Sequence, residues 1–232
     1  MDKPAGVTSF DMVRSVRRVT GIKKVGHAGT LDPFATGLLV ICIGRAATKL
    51  ISQFMDGDKE YFATLRMGEE SSTQDPEGDI TNRAWDEAYT AETIQHVLDK
   101  FRGEILQVPP SFSALKYKGK PLYHYARKGI EVKKEARKVH IHLLEWIDKR
   151  EIVDHNNPAM IIRLVSIKGT YIRSLGSDIG ETLGCGAYLT ALRRTRSGHF
   201  SVKESIAGED LSAPDGLEKI QNRLLSVEFV QK

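Results

Sequence analysis

The chain has 232 residues, 41% of them hydrophobic and 28% charged, with a formal net charge of +4. That length can bury a sizeable core as one large domain or two small ones, and the composition excludes a disordered chain. No apolar run reaches membrane-spanning length, Met1-Asp2-Lys3-Pro4 lacks the apolar centre of a secretion signal, and two cysteines, Cys42 and Cys185, make neither a disulfide framework nor a metal quartet; the expected compartment is the cytoplasm.

Thr8-Ser9 followed by Asp11 reads as a helix start, Phe10, Val13 and Val16 continue it at helical spacing, and Gly21 is a stop. A glycine-rich loop, Gly26 to Gly37, leads into an apolar strand from Leu38 to Ile43. Lys59 to Met67 is β-rich, and the polar, acidic stretch Gly68 to Asp79 reads as a loop. Thr90 to Phe101 predicts a helix with Ile94, Val97, Leu98 and Phe101 on one stripe and Gly103 as its end. Lys138 to Ile147 alternates as a strand, with Val139, Ile141 and Leu143 on one face and His140 and His142 on the other. With no third ligand evident, those histidines read as an exposed face, and no metal site or cofactor is expected. Met160 to Ile167 predicts a strand and Leu175, Ile179 and Leu183 mark a helix after Arg173. Ala187 to Arg194 reads as a short helix, and Ser197 to Lys232 as a strand-like piece and about one more helix. Strands and helices mix without strict βαβ alternation, so the expected class is α+β.

Charge is unevenly spread. Leu115 to Lys138 holds nine Lys or Arg against two acids, Glu131 and Glu135, with Tyr117, Tyr123 and Tyr125 interleaved. Further basic groups surround the first helix (Arg14, Arg17, Arg18, Lys23, Lys24) and lie near the end (Arg193, Arg194, Arg196). Each cluster alone fits a solvated face; together with the aromatics they fit a polyanion, nucleic acid best. Asp32 sits in the glycine-rich loop beside a buried strand, a layout that fixes where a side chain points, and Pro33 restricts its backbone to extended conformations. A loop aspartate that caps a turn is the bland alternative on spacing alone.

Several segments together resemble the TruB family of tRNA pseudouridine synthases. They are Lys3-Pro4-Ala5-Gly6, the run from Gly26-His27-Ala28-Gly29-Thr30-Leu31-Asp32-Pro33 to Leu39, and Lys59-Glu60-Tyr61. Ser113 to Lys116, Tyr123 to Gly129, Lys168 to Leu175 and Leu183 to Arg194 follow in order, over roughly the first 200 residues. The resemblance implies a mixed, mostly antiparallel sheet flanked by helices, with a catalytic domain over residues 1–205. It implies an RNA-binding insertion at about 109–135 and a C-terminal extension, 206–232, too short for the PUA domain of many bacterial members. The edge strand that usually precedes Asp2-Lys3-Pro4 is expected to be missing or shortened. Where the family usually has another aspartate, this chain has Ser72.

By the same resemblance Asp32 is the catalytic aspartate, Tyr61 stacks on the target base, and Arg173 pairs with the catalytic carboxylate. His27 contacts the flipped-out nucleotide region. Tyr171, Lys3 and Leu192 wall the site, and Asp75 is a second acid near the arginine. Lys116, Lys118, Lys120, Tyr123, Arg127, Lys128, Arg193 and Arg194 are the expected RNA contacts. The implied substrate is the T-arm of tRNA at the uridine numbered 55, with no obligate protein partner and a monomeric enzyme. A tRNA chaperone on the same scaffold, a guide-RNA-dependent synthase and a paired-carboxylate glycoside hydrolase are the rivals; the last needs a second acid that the Asp32 motif lacks.

Overall fold

The computed structural model describes residues 1–85 and 88–227. In chain order the elements are β1 (Asp2–Lys3), α1 (Ser9–Thr20), β2 (Val25–Ala28), β3 (Thr36–Leu38), β4 (Val40–Ile43), α2 (Gly44–Lys49), α3 (Ile51–Phe54) and β5 (Lys59–Met67). Then come β6 (Glu69–Ser71), β7 (Ile80–Asn82), β8 (Tyr89–Thr90), α4 (Ala91–Asp99), β9 (Gly103–Gln107), β10 (Lys116–Tyr117), β11 (Lys120–Pro121) and α5 (Leu122–Ala126). The rest are β12 (Arg137–Trp146), β13 (Ile152–Val153), β14 (Ala159–Ser166), α6 (Ile172–Leu183), β15 (Ala187–Ser197), β16 (Phe200–Ser201) and α7 (Gly216–Asn222). This is the expected α+β mixture, and its strand pairs are mostly antiparallel, with β3 and β15 parallel. Residues 228–232 of the expected C-terminal extension lie outside the described residues. Among the described residues no helix is long and apolar enough to cross a membrane.

The chain divides into two compact units, Met1–Tyr61 with the segment from Leu192 on, and Phe62–Ala191. In the first, α1 starts as its sequence dictates. Thr8 and Asp11 form a capping box, and Gly21 closes the helix in the left-handed region. Its buried stripe, Met12, Val13 and Val16, supplies core together with Leu31, Leu38, Leu39 and Val40. The expected single strand from Leu38 to Ile43 is two. β3 pairs with β1 and β15, whereas β4 pairs with β2, and the chain changes partner at the buried Leu39, whose N–H donates to the Met1 carbonyl at 2.8 Å. An all-apolar run carries no sign of which neighbour each half will take, because both faces are buried.

In the second unit, β5 from Phe62 on, β14, β12 and β9 lie in that order, and α4 and α6 pack against each other. β5 is the strand its β-rich sequence predicts, with Lys59, Tyr61, Ala63, Leu65 and Met67 on the buried side. α4 is capped by Thr90 and ends at Asp99 with Lys100 as its C-cap, so Phe101 lies just beyond it, two residues past the end. A register shift between Ile141 and Leu143 turns β12 over, so Leu144 and Trp146 follow Val139 and Ile141 into the core and Leu143 does not. The expected loop from Gly68 to Asp79 contains β6, which pairs with β7.

The largest departure is β15. Ala187 to Arg194 is rich in helix formers, yet it is the start of an eleven-residue strand. Differences in helix propensity among ordinary residues are at most about 0.7 kcal/mol each. Sheet pairing on both sides, with Leu189 and Leu192 buried, outweighs them. Where β15 passes β3, a Cβ on Gly37 would lie 2.2 Å from the Arg194 carbonyl oxygen, and Gly37 has φ +101°. Gly37→Ala should therefore lose about 3 kcal/mol or more, from strain and from separation of the two strands. An unchanged urea midpoint would show that the strands can separate without cost.

Candidate functional site

Asp32 lies in the segment between β2 and β4, whose pairing (Ala28 opposite Val40, His27 opposite Ile41) closes the base of the loop. Inside the loop the backbone turns, the Ala35 N–H donating to the Asp32 carbonyl at 3.1 Å. Three side chains fasten it. Ser9 Oγ donates to the Leu31 carbonyl at 3.0 Å and accepts from the Leu31 N–H at 2.9 Å, pinning the residue before Asp32. Lys3, with no solvent exposure, donates from Nζ to the carbonyls of Pro4 (2.8 Å), Val7 (2.7 Å) and Pro33 (3.1 Å). Arg194, 1% exposed, donates from Nε to Leu38 (2.8 Å), from Nη2 to Gly29 (2.9 Å) and from Nη1 to Thr30 (3.5 Å).

Two sequence expectations change here. Arg194 is no surface phosphate contact: its guanidinium is buried and spent on loop carbonyls. Lys3 is buried behind Pro33, where it holds the loop on which the carboxylate stands. The signal that separates such residues from surface bases is positional. Arg194 falls on the inward side of β15, whereas its neighbour Arg193 points out and pairs with Asp2 at 2.6 Å. Reading the segment as a helix hid that alternation.

His27 is half-buried, and its Nδ1 is enclosed with no hydrogen-bond partner among the described residues. Burial, and secondarily the Arg194 charge, hold its pKa below the ordinary 6.5, so the imidazole is neutral near pH 7. Tyr61 on β5 and Leu192 on β15 are buried residues of the first unit.

The second unit holds Asp75, Tyr171 and Arg173. The Arg173 guanidinium pairs with Asp75 Oδ2 at 3.0 Å, with both side chains 4% exposed, and also donates to the carbonyls of Thr73 (2.9 Å) and Phe112 (2.6 Å). Asp75 is held in turn by Thr73 Oγ1 at 2.5 Å and the Glu77 N–H at 3.0 Å. The looser Ser72-Thr73-Gln74-Asp75 motif thus places its acid beside the arginine. Tyr171, just before α6, is clasped by Gln107, which accepts from its N–H at 2.8 Å and donates to its carbonyl at 3.0 Å. Gln107 carries no motif, and nothing in the sequence marks it.

The basic segment of this unit is a small separate structure. β10 and β11 form a hairpin whose turn residues, Lys118 (φ 45°) and Gly119 (φ 81°), both take positive φ, as a tight right-twisting hairpin requires. Leu122 anchors α5 in the interior. Around it Lys116, Lys118, Lys120, Tyr123, Arg127 and Lys128 are all exposed. The Lys118 ammonium lies over the Tyr117 ring (5.4 Å) and the Arg127 guanidinium over the Tyr123 ring (5.5 Å). Exposed cations interleaved with flat rings suit a phosphate backbone and unstacked bases. The rings of His140 and His142 lie 4.6 Å apart, and among the described residues no three His, Cys, Asp or Glu side chains gather as metal ligands.

Arg194→Met should cost about 2–4 kcal/mol, because the loop carbonyls lose their donors in a site closed to water. A urea midpoint within experimental error of wild type would remove Arg194 from this role. His27 gives a second expectation. Because its folded pKa lies below 6.5, the unfolded chain takes up a proton that the folded chain resists. That contribution to stability is complete above 6.5 and is lost as pH falls through the folded pKa. His27→Gln should flatten the loss of stability between about pH 7.5 and pH 5, measured by urea unfolding. An identical slope in both proteins would place the pH dependence elsewhere.

Residues 17–172 match the family described as "TruB family pseudouridylate synthase (N terminal domain)" and residues 173–229 the "tRNA pseudouridylate synthase B C-terminal domain". The chain is 56% identical over 232 residues to the tRNA pseudouridine synthase B of Desulfotalea psychrophila, covering 100% of this chain and 94% of that one. It is 48% identical to the protein of the same name from Chromobacterium violaceum, over 93% of this chain and 68% of that one. Among solved structures, a chain of a Cbf5-Nop10-Gar1 complex superposes with a TM-score of 0.69 at 28% identity. It covers 98% of this chain, which spans 56% of that one. A chain of the archaeal box H/ACA sRNP Nop10-Cbf5 complex gives a TM-score of 0.66 at 26% identity, over 95% of this chain and 53% of that one. The sheet, the helices around it and the ordered motifs are those of the pseudouridine synthase fold, and the chain belongs to the TruB family of pseudouridylate synthases.

Proposed function

We propose that this chain is a tRNA pseudouridine synthase that isomerises the uridine at position 55 of the T-loop, with Asp32 as its catalytic group. The observation that carries this reading is the 56% identity along the whole chain to a tRNA pseudouridine synthase B. The fastened loop around Asp32 and the exposed basic hairpin support it. In the reaction the C1′–N1 bond of the nucleotide breaks, the base turns, and a C1′–C5 bond forms while C5 loses its proton and N1 gains one. Asp32 serves the glycosidic step from a loop that Lys3, Ser9 and Arg194 hold still. Tyr61 stacks on the extruded ring, a contact worth about 1–3 kcal/mol. His27, neutral and glycine-flanked, contacts the nucleotide region that the base has left, and Tyr171 and Leu192 wall the base. Arg173, which the family resemblance assigns to the catalytic carboxylate, is held in place by its pair with Asp75.

Lys116, Lys118, Lys120, Tyr123, Arg127, Lys128 and Arg193 contribute phosphate and stacking contacts, which give affinity and position rather than sequence readout. Selectivity then comes from the folded loop of the RNA. We assign residues 1–205 to one catalytic domain carrying an insertion at about 109–135, and residues 206–232 to an extension. The enzyme acts in the cytoplasm as a monomer, without an obligate protein partner.

A T-arm hairpin carrying tritium at uridine C5 tests this directly. Wild type should release tritium and Asp32→Asn should lose about 10⁴-fold or more, as removal of the reacting group does. Release by the variant at the wild-type rate would clear Asp32 of the role. A hairpin that binds in a salt-dependent way without release from either protein would leave an RNA-binding or chaperone activity in place of the isomerase.

A further inference from the structure

Tyr171 is the N-cap of α6, yet its side chain makes no capping hydrogen bond. Before it, Thr170 Oγ1 donates to the Ile167 carbonyl at 3.0 Å and turns the chain out of β14. After it, the Leu175 N–H donates to the Tyr171 carbonyl at 3.1 Å and opens the helix. The Tyr171 hydroxyl has no hydrogen bond among the described residues, so no polar contact of its own fixes the ring. Arg173, two residues on, has anchors in Asp75, Thr73 and Phe112. For Tyr171 that part falls to Gln107, the last residue of β9.

Gln107 is 2% exposed, and its amide meets both peptide groups of Tyr171, accepting at 2.8 Å and donating at 3.0 Å, as a neighbouring strand would. A buried amide needs partners, and satisfying it is the purely structural reading. Here, however, both partners lie on one residue, and that residue carries a ring assigned to the site. An amide also presents a donor and an acceptor side by side without a charge, a pairing that neither a carboxylate nor a hydrocarbon of the same size can make. We propose that Gln107 is a positioning residue of the isomerisation and acts through Tyr171. It fixes the peptide from which the ring projects, and with it the wall against which the extruded base turns. The inference rests on the reading above, in which Tyr171 walls the base. A misplacement of about 1 Å in such a wall costs up to about 100-fold in rate. Stacking on Tyr61 and the phosphate contacts of the basic segment do not pass through Gln107, so the loss falls on turnover and not on binding.

The test measures kcat and KM for tritium release from the T-arm hairpin, with the urea midpoint of each variant as a check on folding. Gln107→Leu keeps the volume and removes both bonds. It should lower kcat about 30-fold and leave KM within about twofold. In a Tyr171→Ala background the same change should add less than about threefold, because the residue it acts through is gone. Gln107→Glu keeps the acceptor and regains a donor only when its carboxyl is protonated, a state that burial favours. Its rate relative to wild type should therefore recover about fivefold or more as pH falls from about 8 to about 5.5. A role confined to stability predicts neither the split between kcat and KM nor that recovery. Wild-type kcat in folded Gln107→Leu, losses that multiply with Tyr171→Ala, or a pH-independent Gln107→Glu ratio would each overturn the positioning role. If Gln107→Leu unfolds, the pH profile of Gln107→Glu decides the question. Wild type without tritium release overturns the isomerase reading and this inference together, whereas release that Gln107→Leu leaves unchanged overturns this inference alone.

Discussion

Two buried cations in nests of backbone carbonyls set the rest of the first unit. A charge removed from water is costly unless it is compensated, and a loop carbonyl removed from water needs a donor. Lys3 and Arg194 meet both needs together. The carbonyls of Pro33, Gly29, Thr30 and Leu38 point inward because a cation is there, and the cations stay buried because the carbonyls surround them. The consequence is a loop whose backbone on either side of Asp32 is fixed by hydrogen bonds from residues far apart in sequence. Gly37 completes the arrangement, since only a residue without a side chain lets β3 approach β15 closely enough for Arg194 to reach across.

The two kinds of basic residue in this chain do opposite work. The exposed lysines and arginines around β10, β11 and α5 gain little for the fold, because surface charges in water interact weakly. Their value is long-range attraction and contact with a polyanion. Arg173, Lys3 and Arg194 have given up their water and act on the protein itself. A net charge of +4 therefore understates how sharply the positive surface is concentrated, and a count of lysines and arginines overstates how much of it faces a partner.

The capping box at Thr8, the strand β5 and the helix α6 were legible because each rests on local rules of spacing and capping, and so was the middle of the Gly26–Gly37 loop, whose two ends belong to β2 and β3. The class followed from them, and the mixed sheet from the family resemblance. What was not legible depends on partners distant in the chain. β15 is written in helix-forming residues and becomes a strand only because β3 and β5 flank it. The bulge that turns β12 over at Leu143 has no local signature. For the site, the motif residues around Asp32 could be named from sequence, but the burial of Arg194 could not, since inside and outside on a strand are decided by its neighbours. Ser9 and Gln107, which pin Leu31 and Tyr171, stand in stretches where a serine or glutamine looks like any other surface polar residue.

Cys42 and Cys185 are both buried, and burial raises the pKa of each thiol, that of Cys42 to about 11. The reactive thiolate is therefore scarce and shielded at neutral pH. Thiol-directed alkylating reagents have no ready cysteine target on the folded chain. The same silence makes the protein a clean background for spectroscopy. A cysteine introduced on the exposed hairpin would carry a label alone, and its signal would report the movement of that hairpin against RNA without interference from the core.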